Sequence, residues 1–579
     1  MKKELLQRIE ESQVISFDIF DTLIMRKTLY PEDVFDIVQE KAEQQEIAIK
    51  DFKLLRQRAD AENPYILPDI YQIYAHLQTI SGIRNQERDR LLEMELETER
   101  EVLLVRQEMR EVLEFAVRKG RQVYLISDMY LPKQLIEELL GKLGVTGYQD
   151  IFVSCDYKRS KNGGLYQEFI KKVPARNYLH IGDNPISDGI RAEEAGIVPW
   201  QIESGLSLLK KSIYSEVLKN SDTLGGRIEI GLMVSCVFNS PFVSIGEDGR
   251  PKIENGMDII YGLVAPFIAE FVMWFIEKIE GKHYDDILFA ARDGFLIQKL
   301  YQLYKEETQT DLPEGMYFLT SRTLCAAAAM DSERDIELLV KREFSGTPEE
   351  MLTRRFLLES EQILPYDGKM DVTEYALLHK DRIYAKSKEI RAQYLKYMKE
   401  IGLRENGKYA FFDFVSSGTS QYFLEKIVPF KLEGQYFCWY QRHDSYAEDF
   451  NKMSIDALKK DYCEDYITGN YFLHYLWMEA IFTSFKPSIS GIDDSGFLYD
   501  TEDRSETELD YVQQMQKTIE THFREYIRYP YIMKKSLSEN TGERLFDFVD
   551  LKYTDDASEL FGSIHLKDDF DQNMMTVRR

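Results

Sequence analysis

Four short apolar runs, each closing on polar side chains, dominate the first 184 residues and leave few folds open to this chain. Residues 14–24 read VISFDIFDTLI, residues 121–132 read RQVYLISDMYLP, residues 151–155 read IFVSC and residues 177–184 read NYLHIGDN. Runs this short and this continuously apolar are strands buried on both faces, not half-exposed strands with alternating polarity. Strands separated by helical stretches pair in parallel with right-handed crossovers, so the expected class is α/β with a Rossmann-like parallel sheet. The ligand site of such a sheet lies beyond the carboxyl ends of its strands, which is where these runs place their Asp, Ser and Asn residues.

Between the first and second runs, from about Tyr30 to Lys119, Glu, Gln, Arg and Leu recur at helical spacing, with Pro31, Pro64 and Pro68 as breaks. This predicts a mostly helical cap over about 25–115, inserted after the first strand. At 579 residues the chain is too long for one core, and roughly two to four domains are expected. The first covers 1–205 and a linker helix covers 206–224. A second α/β domain covers 225–500, where DDILFAARDGFLIQKL (285–300) and KYAFFDFVSSGTSQYFLEKI (408–427) each read strand, glycine turn, helix, and GQYFCWY (434–440) adds a strand. Residues from about Asp331 to Glu400 between them are mainly helical. Residues 501–579 read as a peripheral appendage, helical and then polar with a loose end.

The charge balance, 73 Lys+Arg against 100 Asp+Glu for a net −27, repels polyphosphate backbones, so nucleic acid is not an expected partner. Any phosphorylated small molecule must instead be gripped by a local site. Five scattered cysteines, Cys155, Cys236, Cys325, Cys438 and Cys463, form no CxxC pair, which fits reduced thiols and a cytoplasmic location. The opening MKKELLQRIEESQ turns acidic before an apolar run develops, so no signal peptide is expected. Residues 257–275, MDIIYGLVAPFIAEFVMWF, are nearly long enough to cross a bilayer. They carry Asp258 and Glu270, which are expensive at mid-membrane, so a buried helix is expected in place of a transmembrane span.

Four elements stand in the order that one phosphoryl-transfer site needs. Asp18, at the end of the first strand, can attack phosphorus in line and form a phosphoaspartate. Ser127 closes the strand VYLIS, where a hydroxyl and nearby N–H groups, with Asp128 and Thr22 at hand, can hold phosphoryl oxygens. Lys161 in RSKNGGLY is a point charge able to neutralise the negative charge that develops in transfer. Asp183 and Asp188, with Asn184 between them, are an acidic pair on a loop after a strand, suited to a hard cation such as Mg2+.

These stretches resemble the four motifs of the haloacid dehalogenase (HAD) superfamily of hydrolases. The resemblance implies a magnesium-dependent phosphatase or phosphotransferase. Asp18 is then nucleophile and metal ligand, the main-chain carbonyl of Phe20 a second ligand, and Ser127 a phosphate binder. Lys161 is the motif lysine, Asp183 completes the metal site, and Asp188 is a ligand or its partner. The likeness covers roughly a third of the chain. One departure limits it: phosphatases of the superfamily carry an acid-base aspartate two residues after the nucleophile, and here that residue is Phe20. Such a group contributes about 10²–10⁴-fold. Asp21 follows it, but in extended chain its side chain is expected on the opposite face.

Three consequences stay open: a hydrolase for leaving groups that need no protonation, a phosphotransferase, or a weakly catalytic or non-catalytic binding module. In the second domain, Arg292 and Asp293 in AARDG and Asp413, Ser417, Gly418 and Thr419 in DFVSSGTS sit at strand-to-helix turns that favour an anion. Their order resembles the phosphate loops of phosphoribosyltransferases, with only Asp413 of the usual acid pair. Tight turns packing helices on a sheet are the alternative. Arg322 and Glu479 are further polar candidates. The whole arrangement is similar to a bacterial family of predicted hydrolases found with glycosyltransferases of surface-polysaccharide assembly. That likeness implies a sugar-phosphate or nucleotide-sugar context, with glycosyltransferases of surface-glycan assembly as partners.

Overall fold

A computed structural model describes residues 2–440, 446–461, 474–549, 565–568 and 573–576. The chain forms two compact units, one of residues 1–254, 261–263 and 531–548, the other of residues 255–260, 264–530 and 549–579.

The strands of the first unit are β1 (Val14–Phe17), β2 (Ile24–Arg26), β3 (Leu103–Val105), β4 (Gln122–Ser127), β5 (Asp150–Val153), β6 (Tyr178–Gly182) and β7 (Val198–Gln201). Five of them make one sheet in the order β5-β4-β1-β6-β7, every pair parallel. Successive side chains leave a strand on opposite faces, and the two faces build separate cores. Ile15, Phe17, Val123 and Leu125 pack on one side, and Val14, Tyr124 and Ile126 pack on the other. This two-sided burial explains why the strands read as unbroken apolar runs. Counting sheet strands alone, the order is 3-2-1-4-5, the doubly wound Rossmann-like arrangement, and its direction reverses between β1 and β6.

β2 and β3 pair antiparallel as a short ribbon, Arg26 opposite Leu103, and the cap hangs from it. Four helices, Asp33–Gln44, Phe52–Ala61, Ile70–Ser81 and Asn85–Val102, lie between the two strands. The cap is therefore narrower than the expected 25–115. The next helix, Gln107–Arg118, buries Met109, Val112, Leu113 and Ala116 in the sheet's core. The cap is pinned by the buried Arg56–Glu95 pair, in which Nε and Nη2 each lie 2.9 Å from a glutamate oxygen and the Tyr74 hydroxyl donates to the same carboxylate.

The second unit holds β8 (Asp286–Ala290), β9 (Glu314–Phe318), β10 (Lys408–Ser416), β11 (Lys431–Tyr440) and β12 (Ile455–Asp461). They form a second all-parallel sheet in the order β12-β11-β10-β8-β9. Residues 256–279 are continuously helical with a mean hydropathy of 2.0 over an 18-residue window, 89% of which is buried, as a core helix requires. Two sequence expectations differ from the structure. Leu224–Val237, expected with the second domain, is a buried helix of the first unit. Glu506–Tyr526, expected in a peripheral appendage, buries Val512, Met515, Ile519 and Phe523 completely, because its apolar residues recur at helical spacing along one stripe. Cys463 and residues 550–564 of the appendage lie outside the described residues, while Cys155, Cys236, Cys325 and Cys438 form no disulfide among the described residues.

Candidate active site

Asp18 leaves β1 one residue past its end and Asp183 leaves β6 in the same way, so the two flank the point where the strand order reverses. The Asp18 N–H donates to the Ile181 carbonyl (2.9 Å), which holds the two strand ends in register. Asp188 arrives from the turn after β6, where the Asn184 side chain accepts from the N–H groups of Ile186 and Ser187 and starts the helical segment. Gly182 permits the approach: a Cβ built there would collide with the Asp188 carboxylate.

The carboxylates of Asp18, Asp183 and Asp188 come within 4.8 Å of one another. Lys161 is buried between two of them, its Nζ 2.5 Å from Oδ1 of Asp18 and 2.5 Å from Oδ1 of Asp188. The Asp128 side chain accepts from the Lys161 N–H (2.8 Å) and fixes that loop. Thr22 is buried and its hydroxyl donates to Asp183 (3.3 Å). Ser127, also buried, lines the same cleft of about 490 Å³, as do Asp128 and Asn184. Asp18, Ser127, Lys161, Asp183 and Asp188, read from four separate stretches, thus meet in one place. Phe20 lines the cleft beside them.

Burial pushes the Asp18 carboxyl well above its ordinary range; Lys161 opposes this, and Asp188 and Asp183 reinforce it. Asp183 is pushed up to about 7 by burial and by the nearby Asp21 and Asp188. For Asp188, burial is outweighed by Lys161 and by the His180 contact, which hold it below the usual carboxylate range. Lys161 stays charged because the same two aspartates overcome its burial. Burial and mutual crowding leave these three acids short of counter-charge, with Lys161 the one ammonium between two of them, and the donors are hard oxygens. That set fits a divalent cation such as Mg2+.

The structure corrects the expectation for Asp21. Its φ of 58° is left-handed, which breaks the alternation assumed for extended chain, and Asp21 lines the cleft within electrostatic reach of Arg26, Arg106 and Asp183. Several residues escaped sequence reading. His180 bridges Ser16 Oγ (2.9 Å) and Asp188 Oδ1 (3.2 Å), and Tyr166 donates to the Ser187 carbonyl. His180 had a usable signal, since it stands two residues before Gly182 and therefore on the same strand face. Arg106 is buried and donates to the carbonyls of Asp21, Glu203 and Asn239, fastening the loop after Asp18. Arg26 and Arg56 reach the cleft from the cap side.

In the second unit, Arg292 and Asp293 follow β8, and Asp413 lies on β10, its parallel neighbour. Asp293 is in electrostatic reach of Glu479, Arg292, Asp413 and Arg322, so these five candidates do assemble. Arg292 adopts a φ of 72°, and its guanidinium donates to Ser488 and lies 3.8 Å from Glu479. Ser417 and Thr419 contact each other (3.2 Å) around Gly418, which turns the chain at a φ of 88° into the helix Thr419–Ile427.

No protein-family model and no curated protein matches the chain. Among solved structures, a hydrolase from Streptococcus pneumoniae TIGR4 is similar at 17% identity and a TM-score of 0.23, over 34% of this chain and 97% of that one. A hydrolase from Pseudomonas syringae is similar at 17% identity and a TM-score of 0.22, over 35% and 98%. A dehalogenase solved as an intermediate complex is similar at 15% identity and a TM-score of 0.24, over 32% and 82%.

Proposed function

We propose that the first unit is a magnesium-dependent hydrolase of the haloacid dehalogenase type, acting on a phosphorylated small molecule through a phosphoaspartate at Asp18. The observation that carries this reading is the meeting of Asp18, Asp183 and Asp188 within 4.8 Å around Lys161. These three aspartates would hold the magnesium ion, with the Phe20 carbonyl as the further ligand that the resemblance implies. When bound, the ion supplies Lewis-acid neutralisation of phosphoryl oxygens. Asp18 attacks phosphorus in line, Ser127 holds a phosphoryl oxygen, and Lys161 balances charge on the transferring group.

Phe20 offers no proton to the leaving group. The same residues also serve transfer of the phosphoryl group to an acceptor other than water. A sugar phosphate, in the setting of surface-glycan assembly with glycosyltransferase partners, is the substrate class that the sequence resemblance favours. A panel of phosphorylated metabolites with and without Mg2+ tests the reading: magnesium-dependent turnover that Asp18→Asn abolishes is expected. Phe20 favours one rival, a ligand-binding or scaffold protein, and binding of a metabolite without turnover would support it.

A further inference from the structure

The cap side of the cleft carries two arginines of identical build. Arg26 gives Nε and Nη2 to Glu99 (3.1 and 2.9 Å), and Arg56 gives the same two atoms to Glu95. Glu99 and Glu95 are buried, and the Arg26 side chain is 9% exposed. Among the described residues Glu99 is the only hydrogen-bond partner of Arg26, so one edge of its guanidinium is fixed while the other, Nη1 with the second Nη2 hydrogen, remains for a ligand in the cleft that Arg26 lines. An edge of that shape matches the two oxygens of a carboxylate or phosphate.

The guanidinium also lies over the Phe20 ring, 4.9 Å from its centroid. Phe20 stands two residues past Asp18 and lines the same cleft. A cation therefore lies over the aromatic ring two residues past the proposed nucleophile, on the wall of the same cleft.

We propose that Arg26 stabilises the leaving group as an oxyanion in place of a proton donor, which makes the site selective for anhydrides of phosphoric acid over alkyl phosphate monoesters. This rests on the reading of Asp18 as nucleophile. In the first step an Asp18 oxygen forms a bond to phosphorus, the bond from phosphorus to the leaving oxygen breaks, and that oxygen keeps the electron pair and departs as a carboxylate or phosphate anion on the open edge of Arg26. No proton moves. In the second step water attacks phosphorus, the bond to Asp18 breaks and returns its carboxylate, one water proton stays on the released phosphate and the other passes to solvent. An alkoxide lacks the stability to leave in this way.

The test uses the full chain with Mg2+ and three probes: acetyl phosphate, inorganic pyrophosphate and glycerol 1-phosphate. Two variants keep Glu99 from being left buried and unpaired. Arg26→Lys retains the charge without the fork, and Arg26→Met with Glu99→Met removes both charges; melting curves check that each folds. The proposal expects wild type to favour at least one anhydride over the alkyl ester. It also expects both variants to lower kcat/KM on that anhydride by about 10²-fold and on the alkyl ester far less, so that the preference collapses. Activity on acetyl phosphate alone would identify a carboxylate leaving group, and activity on pyrophosphate alone a phosphate. Equal losses on both substrate classes, or a wild type as active on glycerol 1-phosphate as on the anhydrides, would overturn the proposal and leave Asp18 as nucleophile. No turnover and no phosphoenzyme with any probe would instead overturn the underlying reading.

Discussion

The Lys161 ammonium lies 2.5 Å from the Asp18 carboxylate and is equally close to Asp188. It is the counter-charge that allows carboxylates to share a buried site, and in the proposed reaction it would meet the transferring phosphoryl group. Lys161→Met is expected to lower kcat by about 10²–10³-fold, the loss typical of one removed electrostatic partner in a closed site. Steady-state kinetics at saturating Mg2+ check this. A variant within threefold of wild type would remove Lys161 from the mechanism.

Restoring a carboxyl at position 20 supplies the acid-base group that Phe20 lacks. Phe20→Asp is expected to speed hydrolysis of the covalent intermediate by about 10²-fold or more, read as faster loss of label from the phosphoenzyme in a chase. An unchanged chase would mean that proton transfer does not limit that step.

Gly182 is where β6 passes closest to Asp188, and a methyl group there displaces the carboxylate. Gly182→Ala is expected to cost about 1–3 kcal/mol through overpacking and to raise the Mg2+ concentration needed for half-maximal activity at least about tenfold. Thermal melting and a metal titration read the two effects separately, and a variant unchanged in both would contradict the placement of Asp188.

In the second unit, burial and then Glu479 hold the Asp293 carboxyl well above its ordinary value of 3.8, with Arg292 opposing. The sign follows: the folded state prefers the neutral acid. The contribution of this group to stability is therefore complete below pH 3.8 and is lost as pH rises through the raised value. Asp293→Asn is expected to match wild type in melting temperature near pH 4 and to exceed it at pH 8. A variant that is less stable at pH 8 would show Asp293 to be paired in its ionised form.

The parallel sheet of the first unit was legible because its strands are buried on both faces, and the meeting of the candidate residues was legible because Asp18, Ser127 and Asp183 stand at strand ends. The edges of the cap were not, since β2 and β3 are three residues each and carry no periodicity. Asp21 was misplaced because alternation assumes extended backbone and its φ is 58°. Arg26 and Glu99 lie 73 residues apart and Arg56 and Glu95 lie 39 apart, so no local spacing announces either pair. In the second unit the turns were visible, but which of them share a crevice depends on strand order, fixed by which strand pairs with which.

The most direct test is to trap the covalent intermediate. The full chain is incubated with acetyl phosphate and Mg2+, quenched in acid, digested and analysed by mass spectrometry. The account predicts one added phosphoryl group on the peptide containing Asp18, absent after Asp18→Asn and absent without Mg2+. A phosphoryl group on another residue, or one that persists in Asp18→Asn, would contradict it.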